Sequence, residues 1–225
     1  WLPGGFGLAL RSDLPGWATR SIYSYGYEFW AVTPSETGKR LLFAARAMFF
    51  VFPLALTLLV GTFGRGLHPW AGLALAAITA FEPNLLGHGA LIKTDVAAAV
   101  ALTAMACAVW RFWTRPGWLP VAELAAASAF GILAKYTLLA FIPLAAAAVG
   151  ARILAGPGPV GRRFLTAASA ILLIGGVCYL TLLAAFRFDA EGPDSPVYQV
   201  LYDDHHFSDQ EVQLLKSWMI LPLPE

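Results

Sequence analysis

Long apolar runs separated by short polar segments set the pattern of this chain. Six runs are rich in Ala, Leu, Val, Ile and Phe, and we predict a membrane-spanning helix over each, because about 20 mostly apolar residues cross a bilayer of about 30 Å. They cover residues 40–60, 69–80, 96–113, 119–133, 137–154 and 164–186. The fourth and fifth runs, separated at Lys135, are together too long for a single span.

The segments on either side of these runs are mixed or polar. Residues 1–39 interleave aromatic side chains with Gly, Pro and Ser without a helical or strand period, so we predict an outward interfacial loop against the headgroups. Residues 40–186 then form a transmembrane helical bundle, and residues 187–225 form an outward polar loop. Because the chain starts at Trp1 without an initiator Met and ends abruptly, we expect an internal fragment of a longer polypeptide.

Composition supports an all-α polytopic membrane protein. Hydrophobic residues make up 58% of the chain and charged residues only 13%, whereas soluble domains carry about 25% charged residues. The net charge of +1 gives no reason to expect nucleic acid as a partner. Cys107 and Cys178 both lie inside apolar runs, which disfavours a disulfide framework or a cysteine metal site.

The distribution of basic residues predicts the orientation of the bundle. With six spans, one set of short loops contains only Lys93 and Lys135, and cytoplasmic loops are the ones enriched in Lys and Arg. The opposite set contains Arg65, Arg111, Arg115, Arg152, Arg162 and Arg163. We therefore expect these arginines to face the cytoplasm. Residues 82–95, Lys135 and both polar ends would face the periplasm or cell exterior from the inner or plasma membrane.

A polar segment at residues 81–95, between two very apolar runs, contains the main candidates for function. Ionisable groups near membrane depth are costly and persist mainly beside a cavity, a partner or a substrate. His88 and Asp95 lie here, and the predicted spans bring Arg46 and Lys135 to the same outward side. Arg and Lys suit a phosphate, Asp95 at a helix N-terminus is stabilised as an anion, and Thr94 could cap that helix.

Each candidate also has a structural explanation. Arg46 could extend its charged group to the membrane surface along its apolar stem. Asp95 could serve only to stabilise the start of a helix, and Lys135 could mark the end of another. The residues alone leave these alternatives open.

Three separated motifs resemble one family of membrane enzymes. They are Pro83-Asn84-Leu85-Leu86-Gly87-His88-Gly89 followed by Lys93-Thr94-Asp95, then Ala129-Phe130-Gly131-Ile132-Leu133-Ala134-Lys135-Tyr136 followed by Pro143, and Leu42-Phe43-Ala44-Ala45-Arg46. With these motifs the chain resembles the protein O-mannosyltransferase-like glycosyltransferases, GT-C enzymes that use polyprenyl-phosphate sugars and include the lipid A aminoarabinose transferases. The resemblance covers residues 40–150 in order and implies a GT-C-type helix bundle.

The resemblance implies transfer of a sugar from a polyprenyl-phosphate donor to a protein or glycolipid acceptor at the outward face. Asp95 would be catalytic, Arg46 and Lys135 would bind the lipid phosphate, and Asn84 and His88 would shape the pocket. Lys93 departs from the Val or Thr common in the family. The family's principal acidic residue, often in an Asp-Glu pair, follows its first membrane helix, and we expect that part to precede this chain.

Two other function classes compete with the enzyme. A transporter or flippase would use Arg46, Asp95 and Lys135 to line a path for a lipid-linked or anionic substrate, although charges gathered at one face favour interfacial catalysis. A non-catalytic membrane module would use the same residues only to anchor helix ends. The cluster Asp203-Asp204-His205-His206 raises the question of a divalent metal ion, but adjacent residues rarely all point at one ion, so we assign no metal ligands.

Overall fold

The chain folds into a helical bundle. The structure is a computed structural model that describes residues 14–15, 22–89 and 91–185, with two short strands nearer the C-terminus. The helices are α1 Ile22–Val32, α2 Ser35–Phe49, α3 Val51–Leu67, α4 Pro69–Ala80, α5 Pro83–Gly89, α6 Asp95–Thr114, α7 Trp118–Ala134, α8 Phe141–Leu154 and α9 Val160–Ala185, with a 3₁₀ helix at Tyr136–Ala140 before α8. The strands β1 Ala190–Glu191 and β2 Leu223–Pro224 pair antiparallel.

Four helical segments are long and apolar enough to cross a membrane. They are Ser35–Leu67, which comprises α2 and α3, Asp95–Thr114, Tyr136–Leu154 and Val160–Ala185. Two further apolar helices, Pro69–Ala80 and Trp118–Ala134, are shorter than this length. These four segments therefore support a membrane protein. The remaining two of the six predicted spans stay a prediction.

Consecutive long helices run antiparallel, so basic residues gather at one end of the bundle. Arg111 of α6 contacts Glu123 of α7 near the turn that joins them, and Arg163 of α9 contacts the end of α8. Phe63 of α3 lies 6.4 Å from Trp110 of α6, measured between ring centroids, so these two helices end at the same level. We call this the arginine end: Arg65, Arg111, Arg115, Arg152, Arg162 and Arg163. The opposite end is the Lys135 end.

The buried core lies among α6, α7, α8 and α9. Its members are mainly alanines and medium-sized apolar side chains, with Leu124, Val121, Val149 and Ile174 almost fully inaccessible. Small side chains allow helices to approach closely, which is how helices pack where lipid supplies no hydrophobic driving force. Ser128 is also fully buried, and its hydroxyl has no hydrogen-bond partner among the described residues.

Helices α3 and α4 pack closely against each other at glycine residues. A Cβ on Gly72 would lie 2.8 Å from the carbonyl oxygen of Gly61 and 2.9 Å from the backbone nitrogen of Arg65. A Cβ on Gly64 would lie 3.1 Å from the carbonyl oxygen of Ala71. Because these neighbours are backbone atoms that cannot rotate away, the helix pair depends on glycine at its interface.

The N-terminal part of the bundle differs from the prediction in two places. The predicted interfacial loop of residues 1–39 contains α1, in which Phe29 stacks on Tyr25 one turn away and meets Trp30 edge to face. The Tyr25–Phe29 pair, four residues apart, stabilises the helix despite the poor apolar period. The first span is also longer than the predicted residues 40–60, because the glycines after residue 60 pack within α3 instead of forming a connection.

Several predicted boundaries are confirmed. Pro69 begins α4 in the first turn and the helix ends at Ala80. The chain breaks at Lys135, so α7 and α8 are separate helices, with a 3₁₀ helix between them.

The C-terminal part differs from the prediction at one boundary. The last helix starts at Val160, four residues before the predicted start. The described strand residues are the only placed part of the predicted polar loop at 187–225, and Asp203-Asp204-His205-His206 lie outside the described residues.

Candidate functional site

An ion pair between Asp95 and Lys135 forms the centre of the candidate site. Asp95 is the first residue of α6, and Lys135 immediately follows α7. Lys135 Nζ donates to Asp95 Oδ1 across 2.7 Å, and both side chains are about half exposed. The antiparallel packing of α6 and α7 thus brings together two charged groups that are 40 residues apart in the chain.

Helix geometry at the start of α6 favours the anionic form of Asp95. Thr94 occupies the N-cap position, and its carbonyl oxygen accepts the first helical hydrogen bond from Ala98. The Thr94 hydroxyl makes no capping bond, so the predicted side-chain cap is wrong. Free backbone N–H groups at a helix start carry partial positive charge, which stabilises a carboxylate in the first turn. Asp95 therefore combines the helix dipole with a lysine partner.

Glu82 is a site residue that the sequence analysis missed. Its carboxylate accepts a 2.6 Å bond from the backbone N–H of Leu85 and a 2.9 Å bond from the side-chain amide of Asn84. The Leu85 bond, which stabilises the charged form, holds the pKa of Glu82 below its usual value. Proline is favoured at the first position of a helix, so Pro83 indicates a helix start directly after Glu82 and could have identified this residue.

His88 is within electrostatic range of both carboxylates. It is exposed near the end of α5, and a positive charge on it would act on both Glu82 and Asp95. Lys93 is exposed as well, and its charge also acts on Asp95. The described residues of this end therefore include two carboxylates and three groups that can carry positive charge. We call Glu82, His88, Lys93, Asp95 and Lys135 the polar cluster.

Close packing of α5 on α3 fixes the position of the polar cluster. Gly89 is buried against Pro53, and a Cβ on Gly89 would lie 2.5 Å from Pro53 Cγ. Gly87, two residues earlier, faces open space. Only glycine at residue 89 allows the short helix that carries Asn84 and His88 to approach α3 this closely.

Arg46 is not joined to the other candidates. It lies in the last turn of α2 and is exposed. No hydrogen bond or ion pair connects it with Asp95 or Lys135 within residues 22–89 and 91–185. Asn84 likewise contacts Glu82 instead of the ion pair. Among the described residues, the structure thus joins Asp95 directly to Lys135, brings His88 within electrostatic range of Asp95, places Asn84 on Glu82, and forms no direct bond from Arg46 to the pair.

Four cavities lined by described residues lie away from the Asp95–Lys135 pair. The largest of the four has a volume of about 800 Å³ and lies between α3 and the α6–α7 turn at the arginine end. In the described part of the chain, no three His, Cys, Asp or Glu side chains are grouped to hold a metal ion.

Comparisons with protein-family models, with curated proteins and with solved structures found no match to this chain. The family resemblance in the three motifs therefore stays a hypothesis. What the polar cluster can do follows from its own geometry: it can hold an anion at its lysines, and it can accept a proton at a carboxylate.

Proposed function

We propose that the polar cluster is part of the active site of a membrane glycosyltransferase that takes a sugar from a polyprenyl-phosphate donor. The observation that carries the proposal is the Asp95–Lys135 pair, in which a carboxylate and a lysine ammonium group lie 2.7 Å apart. Both are about half exposed, so a ligand can reach them without opening the core. Lys93 adds positive charge near the pair.

Each member of the pair has a distinct role in transfer. The donor phosphate binds Lys135 in place of Asp95, which frees the Asp95 carboxylate. An acceptor hydroxyl oxygen then attacks the anomeric carbon of the sugar, the bond from that carbon to the phosphate oxygen breaks, and its electron pair leaves with the polyprenyl phosphate. Asp95 takes the hydroxyl proton, while Lys135 stabilises the leaving phosphate, where a fixed cation contributes most.

These roles predict different effects for the two residues. With the chain in lipid nanodiscs, Lys135→Ala should weaken the binding of polyprenyl phosphate by about tenfold or more, because the phosphate loses its cation. Asp95→Asn should leave that binding equal or tighter, because it removes the competing carboxylate. Transfer from a polyprenyl-phosphate sugar in membranes should fall in both variants, by about tenfold or more.

Lys39→Ala is the matched control, since Lys39 also pairs with a carboxylate, Glu36, across 2.8 Å on α2. We expect Lys39→Ala to behave as wild type. If both site variants bind polyprenyl phosphate and transfer sugar as wild type does, the pair is a structural contact and the proposal fails. If the variants block passage of the lipid across the bilayer while no sugar is transferred by the wild type, the site belongs to a flippase.

A further inference from the structure

A second basic site lies at the arginine end, remote from the polar cluster. A cavity of about 270 Å³ is enclosed by the last turn of α8, the loop that follows it and the first turns of α9. Arg152, Arg162 and Arg163 line it together with Thr166 and the apolar side chains of Phe112 and Ile153. No Asp or Glu of the described residues lines this cavity.

Among the described residues, the arginines of this cavity form no ion pair with an acidic side chain. Within the described part of the chain, neither Arg152 nor Arg162 forms an ion pair, and Arg152 is partly buried. The one described carboxylate near this end, Glu123, is bound to Arg111 at 2.7 Å. Uncompensated guanidinium groups in a partly buried cavity favour an anion, and the planar fork of arginine fits phosphate oxygens.

Arg163 has a different task, which is to hold the cavity wall. Its Nη1 donates to the carbonyl oxygens of Leu154, at 2.5 Å, and Gly156, at 3.1 Å. Its buried Nε has no partner among the described residues. The loop that it braces contains Gly158 at a φ of +112°, which favours glycine, between two prolines of fixed φ. The wall is therefore formed before any ligand binds.

We propose that this cavity binds the headgroup phosphate of an anionic membrane phospholipid. The surface beside it is suited to acyl chains, because Val160, Phe164 and Leu165 at the start of α9 are all highly exposed. On the orientation that the arginines predict, the cavity opens at the cytoplasmic leaflet, where anionic lipids are concentrated. The apolar flank favours a lipid over free phosphate, which would need only the arginines.

Native mass spectrometry of the intact chain in detergent tests the proposal, since it counts individual bound lipids. We expect wild type to bind one phosphatidylglycerol more tightly than phosphatidylcholine, because only the former has a net charge. The double variant Arg152→Gln/Arg162→Gln should weaken the binding of phosphatidylglycerol by about tenfold or more. Arg163 is kept because it braces the loop. The matched control, Arg65→Gln/Arg115→Gln, removes the same charge from the same end and should bind as wild type.

Three results would overturn the proposal. Equal affinity for the two lipids would show that the headgroup charge is not recognised. An equal loss in the two double variants would show diffuse attraction to a basic surface instead of a site. Displacement of the lipid by inorganic phosphate at similar concentration would show a site for free phosphate. Arg152→Lys/Arg162→Lys separates charge from fork geometry, and retention of part of the affinity by this variant supports the lipid site.

Discussion

Gly89→Ala tests whether the contact of α5 with Pro53 positions the polar cluster. The added Cβ would lie 2.5 Å from Pro53 Cγ, whereas ordinary contact begins at 3.4 Å. The proline ring is closed and cannot rotate away, so α5 has to move by about 1 Å. Forcing one extra carbon into such a contact costs about 1–3 kcal/mol of unfolding free energy.

The same displacement should also lower the rate of sugar transfer. His88 and Asn84 are on the helix that moves, and Glu82 caps its first turn. A shift of about 1 Å in groups that position a reacting substrate costs on the order of 100-fold in rate. We therefore expect Gly89→Ala to lower sugar transfer by up to that factor while the chain still folds.

Gly87→Ala supplies the matched control on the same short helix. Nothing lies within 4 Å of its added Cβ, so we expect an unfolding free energy unchanged or raised by up to about 1 kcal/mol. Unfolding by denaturant in detergent measures both variants. Pro53→Ala should restore part of the loss in a Gly89→Ala background, because the clash is with the proline ring, and a double-mutant cycle isolates that term.

Equal unfolding free energies for the two alanine variants would refute the packing explanation. So would a Pro53→Ala background in which Gly89→Ala costs as much as it does in the wild type. If stability falls as expected but phosphate binding and transfer do not change, α5 is packed as described but does not position the site.

Three further predictions concern other parts of the chain. The pKa of Glu82 is lowered in the folded chain, so this carboxylate stabilises the fold above its usual pKa of 4.5, and that stabilisation is lost as the pH falls through the folded pKa. Melting curves of wild type and Glu82→Gln should therefore differ at neutral pH and converge in acid. Ser128→Ala removes a buried hydroxyl without a described partner, so chemical denaturation should show equal stability or a gain of about 1 kcal/mol, and a clear loss would reveal a hidden partner. Glu123→Gln breaks an exposed pair with Arg111, so it should cost at most about 1 kcal/mol, and an effect that persists in high salt would contradict a surface contact.

The sequence predicted the long helices well because their apolar runs end at strong signals. Pro69, the turn at Pro116-Gly117 and the break at Lys135 all interrupt the apolar pattern, and each marks a helix boundary in the structure. The prediction that Asp95 and Lys135 share one end followed from the alternation of helices alone. Their direct contact depends on the register of α6 against α7, which no single-chain pattern contains.

Two kinds of feature could not be predicted in the same way. The aromatic segment of α1 and the glycines after residue 60 have low helix propensity. Ring contacts within α1 and the close packing of α3 on α4 stabilise these helices instead. Whether Arg46 bonds directly to Asp95 or Lys135 depends on where α2 stands relative to the bundle, and this is a tertiary property. Glu82, by contrast, had a local signal that a reading of residues 81–95 as one loop obscured.

The short length of α4 has a consequence for the lipids around the bundle. Leu67 and Thr114 lie at one level, as the Phe63–Trp110 contact indicates. Gly89, which is opposite Pro53, then lies only about 20 Å above that level, while Asp95 lies almost 30 Å above it, at 1.5 Å per helical residue. Hydrocarbon cannot solvate Glu82 or His88, so lipid headgroups and water should shift toward the level of these side chains. We therefore expect a bilayer around this chain to be thinned on the α4 side, which would bring the phosphate of a lipid there closer to His88.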